Sequence, residues 1–110
     1  MSTTATDDDA VPPAEGGALA GLTAFQRDVC WILHHEGPSY GLAIKRSLQH
    51  YYGESVNHGR LYPNLDALVD EGLVDKSARD ERTNEYALSE RGRRAIQARA
   101  EWEDAGGEQS

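Results

Sequence analysis

Apolar side chains recur at helical spacing in two stretches that follow the first twenty residues. In the first stretch, Thr23 and Gln26 have the capping-box spacing of a helix start, and the helix should end at Gly37, which precedes a proline. In the second stretch, Ser39 is a candidate N-cap and Gly53 is the expected C-terminal stop. The pattern therefore predicts two short helices joined by a tight corner.

A third helical pattern, GRLYPNLDALVDEGLVD at 59–75, contains a proline. Asn57 is a suitable N-cap for this helix, and Gly72 should end it. Pro63 then lies in the second turn, where it leaves the carbonyl of Gly59 without its usual donor. Alternatively, the helix starts at Pro63 itself, where proline costs nothing. The residues alone leave both starts open.

After the third helix the pattern changes to short extended segments. Residues 73–77 and 84–88 suit two strands, and the polar segment 78–83 between them predicts a hairpin turn, although it lacks Asn-Gly or Asp-Gly. Ser89 is a candidate cap for a last helix that ends near Asp104. Three helices, a hairpin and a final helix predict a mainly α fold with a small β-hairpin, which is the order of a winged helix-turn-helix.

This order predicts one folded unit between two tails. Residues 1–20 are rich in Thr, Asp, Pro, Ala and Gly, lack periodicity and are expected to be a disordered acidic tail. Residues 21–89 should make the winged-helix domain, 90–104 a C-terminal dimerisation helix, and 105–110 a second disordered tail.

The charge of the chain is concentrated in its ends. The net charge is −8, and residues 1–20 and 101–110 each carry four acids and no Lys or Arg, so the segment between them is neutral. The acidity therefore does not argue against a nucleic-acid partner. The chain has only two lysines, Lys45 and Lys76, and acidic ends, which favours a protein adapted to concentrated salt slightly over ordinary solvated tails.

Several classes of protein are disfavoured. A single cysteine, Cys30, excludes an internal disulfide framework, and its apolar neighbours indicate a buried thiol rather than a redox sensor. The four histidines lack metal-ligand spacing, and the chain has no nucleophile–base pair or glycine-rich phosphate loop, so we expect no metal, no cofactor and no enzyme. No segment has the length of a membrane span or the features of a signal peptide, which indicates a cytoplasmic protein.

Three segments resemble the PadR-like transcriptional regulators. The first segment, ILHHEGPSYGLAIKRSL at 32–48, resembles the entry into the second helix of that family. The second, GRLYPNLDALVDEGLV at 59–74, resembles its recognition helix with the Leu-Tyr-Pro motif. The third, NEYALSERGRRAI at 84–96, resembles the segment that leaves its wing. The resemblance implies a homodimeric transcription regulator that binds double-stranded DNA, and two-fold symmetry implies an inverted-repeat site. The charge pattern is typical of a halophilic archaeal member, for which we expect a role in a response to stress, oxidative stress in particular.

The chain departs from the family pattern in two ways. It stops after one C-terminal helix, where many members have several, and its surface is less basic. We therefore expect no large effector-binding domain and a weaker electrostatic drive toward DNA. The sequence does not indicate a small-molecule effector.

The recognition-helix assignment identifies candidate DNA-binding residues. Arg60 and Asn64 lie one turn apart and can read guanine and adenine edges, respectively. Alternatively, Arg60 pairs with a phosphate or with an acid such as Asp66 or Glu54. In the wing we expect Arg82 to reach the minor groove or the backbone. The full expected set is Asn57, His58, Gly59, Arg60, Tyr62 and Asn64 on the third helix, Ser39, Lys45 and Arg46 at the second, and Lys76, Arg79, Arg82 and Thr83 in the wing.

The last helix is the expected dimer contact. A chain of this size has few places to bury Trp102, so this side chain indicates an interface; alternatively, it folds back on its own domain near Phe25. The resemblance implies a dimer through the last helix and the first one. The expected contact residues are Phe25, Trp31, Ile96, Arg99 and Trp102. The competing function is a protein–protein interaction module on a winged-helix scaffold.

Overall fold

A computed structural model describes residues 14–108 of the chain, with side chains from 17 to 105. Within that part it contains five helices and three strands. In chain order they are α1 (Ala14–Ala20), α2 (Ala24–Glu36), β1 (Ser39–Tyr40), α3 (Gly41–Tyr52), α4 (His58–Asp70), β2 (Val74–Ala78), β3 (Asn84–Leu88) and α5 (Glu90–Glu108). The predicted mainly α fold with a hairpin before its last helix is confirmed, and α1 and β1 are additions to it.

Local capping residues determine most of the helix ends. At the start of α2, the Gln26 amide donates to Thr23 Oγ1 and the Thr23 amide donates to Gln26 Oε1, both at 3.1 Å, which confirms the capping box. Gly37, Gly53 and Gly72 follow α2, α3 and α4 with φ of +79°, +73° and +79°, a region that favours glycine. The predicted glycine stops are therefore confirmed.

The start of α3 differs from the prediction. Ser39 is not its N-cap, because Ser39 lies in β1, is buried and donates its hydroxyl to the Gly37 carbonyl at 2.9 Å. Tyr40 occupies the N-cap position without a side-chain cap bond. Ser39 pairs with Tyr86, so the hairpin becomes a three-stranded antiparallel sheet in the order β1-β3-β2. This third strand joins the beginning of α3 to the wing.

One hydrophobic core holds the helices and the sheet together. Cys30 belongs to it and is 0% exposed, and burial raises the pKa of its thiol to about 12. Because the thiolate is the reactive form of cysteine, this environment disfavours reaction of the thiol. The other fully buried side chains include Leu19, Val29, Ile44, Leu48, Leu61, Leu65, Leu68, Tyr86 and Ile96.

The first and last helices pack against each other. α1 lies in a segment that the sequence predicted to be irregular; it contacts α5, and Leu19 is 1% exposed. The rest of the predicted acidic tail, residues 1–13, lies outside the described residues. α5 follows Ser89, whose hydroxyl accepts a backbone hydrogen bond at 3.0 Å, and it continues past the predicted end at Asp104 to Glu108. None of the described helices has the length and hydropathy needed to cross a membrane.

Candidate nucleic-acid interface

The start of α4 determines where Pro63 lies in the helix. Asn57 has extended backbone angles, φ −84° and ψ 138°, and its side chain accepts a hydrogen bond from the Gly59 amide at 2.6 Å. The Leu61 amide donates to the Asn57 carbonyl at 3.0 Å. The helix thus begins at His58, before the proline, and the earlier of the two predicted starts is confirmed.

The outward face of α4 carries small groups in its first turns. Leu61, Leu65 and Leu68 are buried, so the opposite side of the helix faces solvent, with Gly59 and Pro63 exposed on it. Pro63 also leaves the Gly59 carbonyl without its usual helical donor. Small groups at both positions let the backbone of the first turns approach a partner closely. Arg60 and Tyr62 lie on the two flanks of these turns.

One flank of α4 contacts α2. The guanidinium carbon of Arg60 lies 4.0 Å from the centroid of the Phe25 ring, a cation–π contact that holds the flat group in place. Asn64 lies on the same flank, but its amide nitrogen donates to the Arg60 carbonyl at 2.7 Å and its amide oxygen accepts from Gln26 at 2.9 Å. Within the described residues no carboxylate pairs with Arg60. Arg60 is therefore available to a partner, whereas Asn64 already uses both ends of its amide.

The other flank of α4 faces the wing across an open cleft of about 430 Å³. Tyr62 lies on this flank, and the His58 ring packs edge-on to it at a centroid distance of 5.6 Å. The wing contributes Lys76, Arg82 and Thr83 to the same cleft. Four of the expected DNA-binding side chains thus come together here. The remaining lining residues are Tyr40, Gly41, Leu42, Asp66, Asn84 and Tyr86.

A side chain closes the turn of the wing. Asp80 Oδ1 accepts hydrogen bonds from the amides of Arg82 and Thr83 at 2.9 and 2.8 Å, and the Arg79 amide donates to the Thr83 carbonyl at 2.8 Å. These bonds, chiefly the one from Arg82, lower the pKa of the Asp80 carboxyl. Sequence reasoning looked for Asn-Gly or Asp-Gly and missed this turn. The signal for this turn is an Asp whose side chain accepts hydrogen bonds from the backbone amides of the residues two and three positions later in the chain.

The cations of the wing differ in their availability. Arg79 pairs with Glu85 at 3.3 Å, and Lys76 lies 3.7 Å from Asp66 on α4. Arg82 is exposed and has no carboxylate partner among the residues that the structure describes. The wing therefore offers one unpaired guanidinium, and it belongs to the arginine that the sequence favoured.

The start of α3 contributes cleft residues that the sequence analysis missed. Tyr40 and Leu42 are 42% and 49% exposed and line the cleft. Nothing in the local sequence marks Tyr40 as a cleft residue, because its position depends on the pairing of β1 with a distant strand. Of the residues expected to bind DNA in this region, Ser39 is buried, Lys45 is half-buried and Arg46 is exposed, and none of the three lines the cleft.

A second exposed surface lies on α5. Trp102 is 69% exposed and does not fold back toward Phe25. The Arg99 guanidinium carbon lies 5.2 Å from the centroid of the Trp102 ring. Trp31 on α2 is half-buried, whereas Phe25 and Ile96 are covered by their own chain. Of the residues expected at a dimer contact, Trp31, Arg99 and Trp102 thus reach the surface.

Comparisons with known proteins identify relatives of this chain. Residues 31–98 match the transcriptional regulator PadR-like family. RosR of H. salinarum is 57% identical, with 78% of this chain and 77% of that chain covered and a TM-score of 0.75. RosR in a complex structure is 53% identical, with 84% of this chain and 80% of that chain covered and a TM-score of 0.81. Reduced AbfR bound to DNA is 25% identical, with coverage of 79% and 62% and a TM-score of 0.65; AbfR is a protein of Staphylococcus epidermidis. A search of curated proteins gives no match.

The matched range contains all three segments on which the sequence resemblance rests. It includes α3, α4, the whole hairpin and the first part of α5. The match favours a DNA-binding regulator over the competing interaction module, and it agrees with the expectation that the chain is not an enzyme. The chain belongs to the transcriptional regulator PadR-like family and is a winged-helix, DNA-binding regulator similar to RosR.

Proposed function

We propose that the protein acts as a homodimer that binds an inverted repeat in double-stranded DNA. The cleft between α4 and the wing carries this proposal, because Tyr62 and Arg82 both present donor groups there that no described residue uses. AbfR, a relative with the same fold, is bound to DNA in one structure. In a cell without a nucleus, DNA binding places the protein in the cytoplasm.

The geometry of α4 supports a specific division of contacts. In a helix-turn-helix the N-terminal end of the second helix of the pair enters the major groove. In this chain Gly59 and Pro63 then face the floor of the groove, and Arg60 reaches a guanine edge from the α2 flank. On the other flank, Tyr62 and Arg82 contact the backbone or the minor groove.

The other residues expected to bind DNA add contacts around those of Arg60, Tyr62 and Arg82. The amides at Asn57 and His58, at the helix N-terminus, face a phosphate. Asn64 supports Arg60 through the bond to its carbonyl, in place of the adenine contact that its spacing suggested. The residues that hold the flanking backbone are Lys45, Arg46, Lys76, Arg79 and Thr83. The dimer forms through α5, with Trp102 and Arg99 at its centre.

A dimer with two-fold symmetry requires a DNA site with the same symmetry. Each protomer would place α4 in a major groove, so the half-sites should lie about one helical turn apart, or a multiple of it. Hydroxyl-radical footprinting on a selected genomic fragment should show two equivalent protected half-sites, and a duplex with one half-site should bind much more weakly. A single protected half-site occupied by a monomer would contradict the proposal.

Arg60→Ala should relax the sequence preference at one base pair of each half-site. Loss of a paired contact to guanine costs roughly 1–3 kcal/mol, while the Phe25 ring that supports the guanidinium stays in place. Competition binding with duplexes substituted at each position of the half-site measures this change.

Arg82→Ala is the matched control, because an arginine that contacts the backbone contributes little to sequence preference. It should weaken binding to all sequences alike. If Arg60→Ala left both affinity and preference intact, α4 would not be the helix that reads the bases.

A further inference from the structure

The glycine at position 41 is not explained by its own helix. Gly41 is the first residue of α3 and is buried, and unlike Gly37 and Gly53 it does not have a positive φ. Glycine is a poor helix former, and other residues adopt ordinary helical angles more favourably. The reason for a glycine here must therefore lie in the group that contacts it.

That group is the ring of Tyr62 on α4. A Cβ atom at position 41 would lie 2.7 Å from Cε1 and 2.9 Å from Cζ of Tyr62, closer than real Cβ contacts. Gly17, which is also helical, would have nothing within 4 Å of such an atom. The hydroxyl end of Tyr62 thus packs directly on the Gly41 backbone, which is possible only because position 41 has no side chain.

The Tyr62 ring is held on two sides and open on a third. His58 packs against it with 79° between the ring planes. The residue is 36% exposed, and it faces the cleft that also contains Lys76 and Arg82. Within the described part of the chain its hydroxyl makes no hydrogen bond, so the donor is available to a partner in the cleft.

We propose that Gly41 is a positioning residue for DNA binding: it fixes the Tyr62 hydroxyl where this group can donate to a phosphate oxygen of the DNA backbone. The inference rests on the proposed function, and it names both the group that meets the phosphate and the residue that holds it. Gly41 acts through Tyr62 and does not itself touch DNA.

Four variants of the full chain test this on one operator duplex. They are Gly41→Ala, Tyr62→Phe, Tyr62→Leu and the combination of Gly41→Ala with Tyr62→Leu. Gly41→Ala and Tyr62→Phe should each weaken binding about tenfold, because each removes a charge-assisted hydrogen bond to phosphate. Gly41→Ala should also lower the Tm.

The Tyr62→Leu variant distinguishes an effect of Gly41 on the position of the Tyr62 ring from a general effect of Gly41 on folding. The Tyr62→Leu side chain is too short to reach position 41, so adding Gly41→Ala to it should leave affinity unchanged, and Tm should not fall, because alanine is the better helix former. Gly17→Ala is the matched control, since it adds the same methyl group in open space. It should leave affinity unchanged.

A glycine needed only for folding would lower Tm and affinity by the same amounts with and without the Tyr62 ring, and that result overturns the inference. Full affinity in Gly41→Ala or in Tyr62→Phe overturns it as well, while the wild-type complex would still support the proposed function. A wild-type protein that binds no duplex overturns the proposed function and the phosphate contact together.

Discussion

Replacing Trp102 by alanine should convert the protein from a dimer into a monomer at concentrations where the wild type is dimeric. The Trp102 side chain is 69% exposed in the single chain, and Arg99 covers part of its ring. An aromatic residue at the centre of an interface contributes roughly 2–4 kcal/mol. Since the two-fold dimer loses this side chain from both protomers, its dissociation constant should rise by at least roughly 30- to 1,000-fold. Sedimentation velocity over a concentration series measures the change.

Gln97→Ala is the matched control, because Gln97 is exposed on the same helix but on a different face. It should leave the dimer intact. The Trp102→Ala protein should also bind a duplex with two half-sites more weakly, because its two DNA-binding units are no longer linked. Sedimentation of the Trp102→Ala protein at the wild-type rate would show that α5 does not make the dimer.

The parts of the fold that the sequence predicted depend on local interactions. Thr23, Asn57 and Ser89 each accept a hydrogen bond from an amide two or three residues away, so a short pattern is enough to identify them. β1 could not be predicted, because Ser39 and Tyr40 form a strand only by pairing with β3, far along the chain. A strand of two residues has no alternation that a pattern could show.

The candidate site was predictable as residue types on a helix, but not as contacts between helices. Arg60 and Asn64 share a flank, as their spacing requires. Only the packing of α2 shows that Asn64 is bonded to Gln26 and that Arg60 lies over Phe25. Phe25 was expected at the dimer contact because spacing does not distinguish an apolar face that meets the core from one that meets a partner. The structure buries it within its own chain.

Specific DNA binding should persist in molar potassium chloride with a shallow dependence on salt. A protein that neutralises six phosphates loses affinity roughly 10⁵-fold for a tenfold rise in salt, because it releases counterions from the DNA. In this chain Lys76 already pairs with Asp66 and Arg79 with Glu85. Transfer of either cation to a phosphate leaves a carboxylate that takes up a cation from solution. This uptake offsets part of the release, so we expect the loss of affinity between 0.1 and 1 M salt to be much smaller than the count of phosphate contacts implies.

Asp66→Asn isolates this exchange of partners. Without the carboxylate, Lys76 can meet a phosphate and no cation is taken up, so the slope of log affinity against log salt should become steeper by about 0.9 for each protomer, or about 1.8 for the dimer. Affinity at low salt should rise, because a negative charge that lines the cleft between α4 and the wing is removed. At molar salt the Debye length is about 3 Å, only direct contacts remain, and the two proteins should bind alike. Fluorescence anisotropy titrations of one operator duplex from low to molar salt measure both slopes. A steep, monotonic loss for the wild type, with no binding left at molar salt, would contradict the exchange mechanism and the interpretation that this chain is adapted to salt.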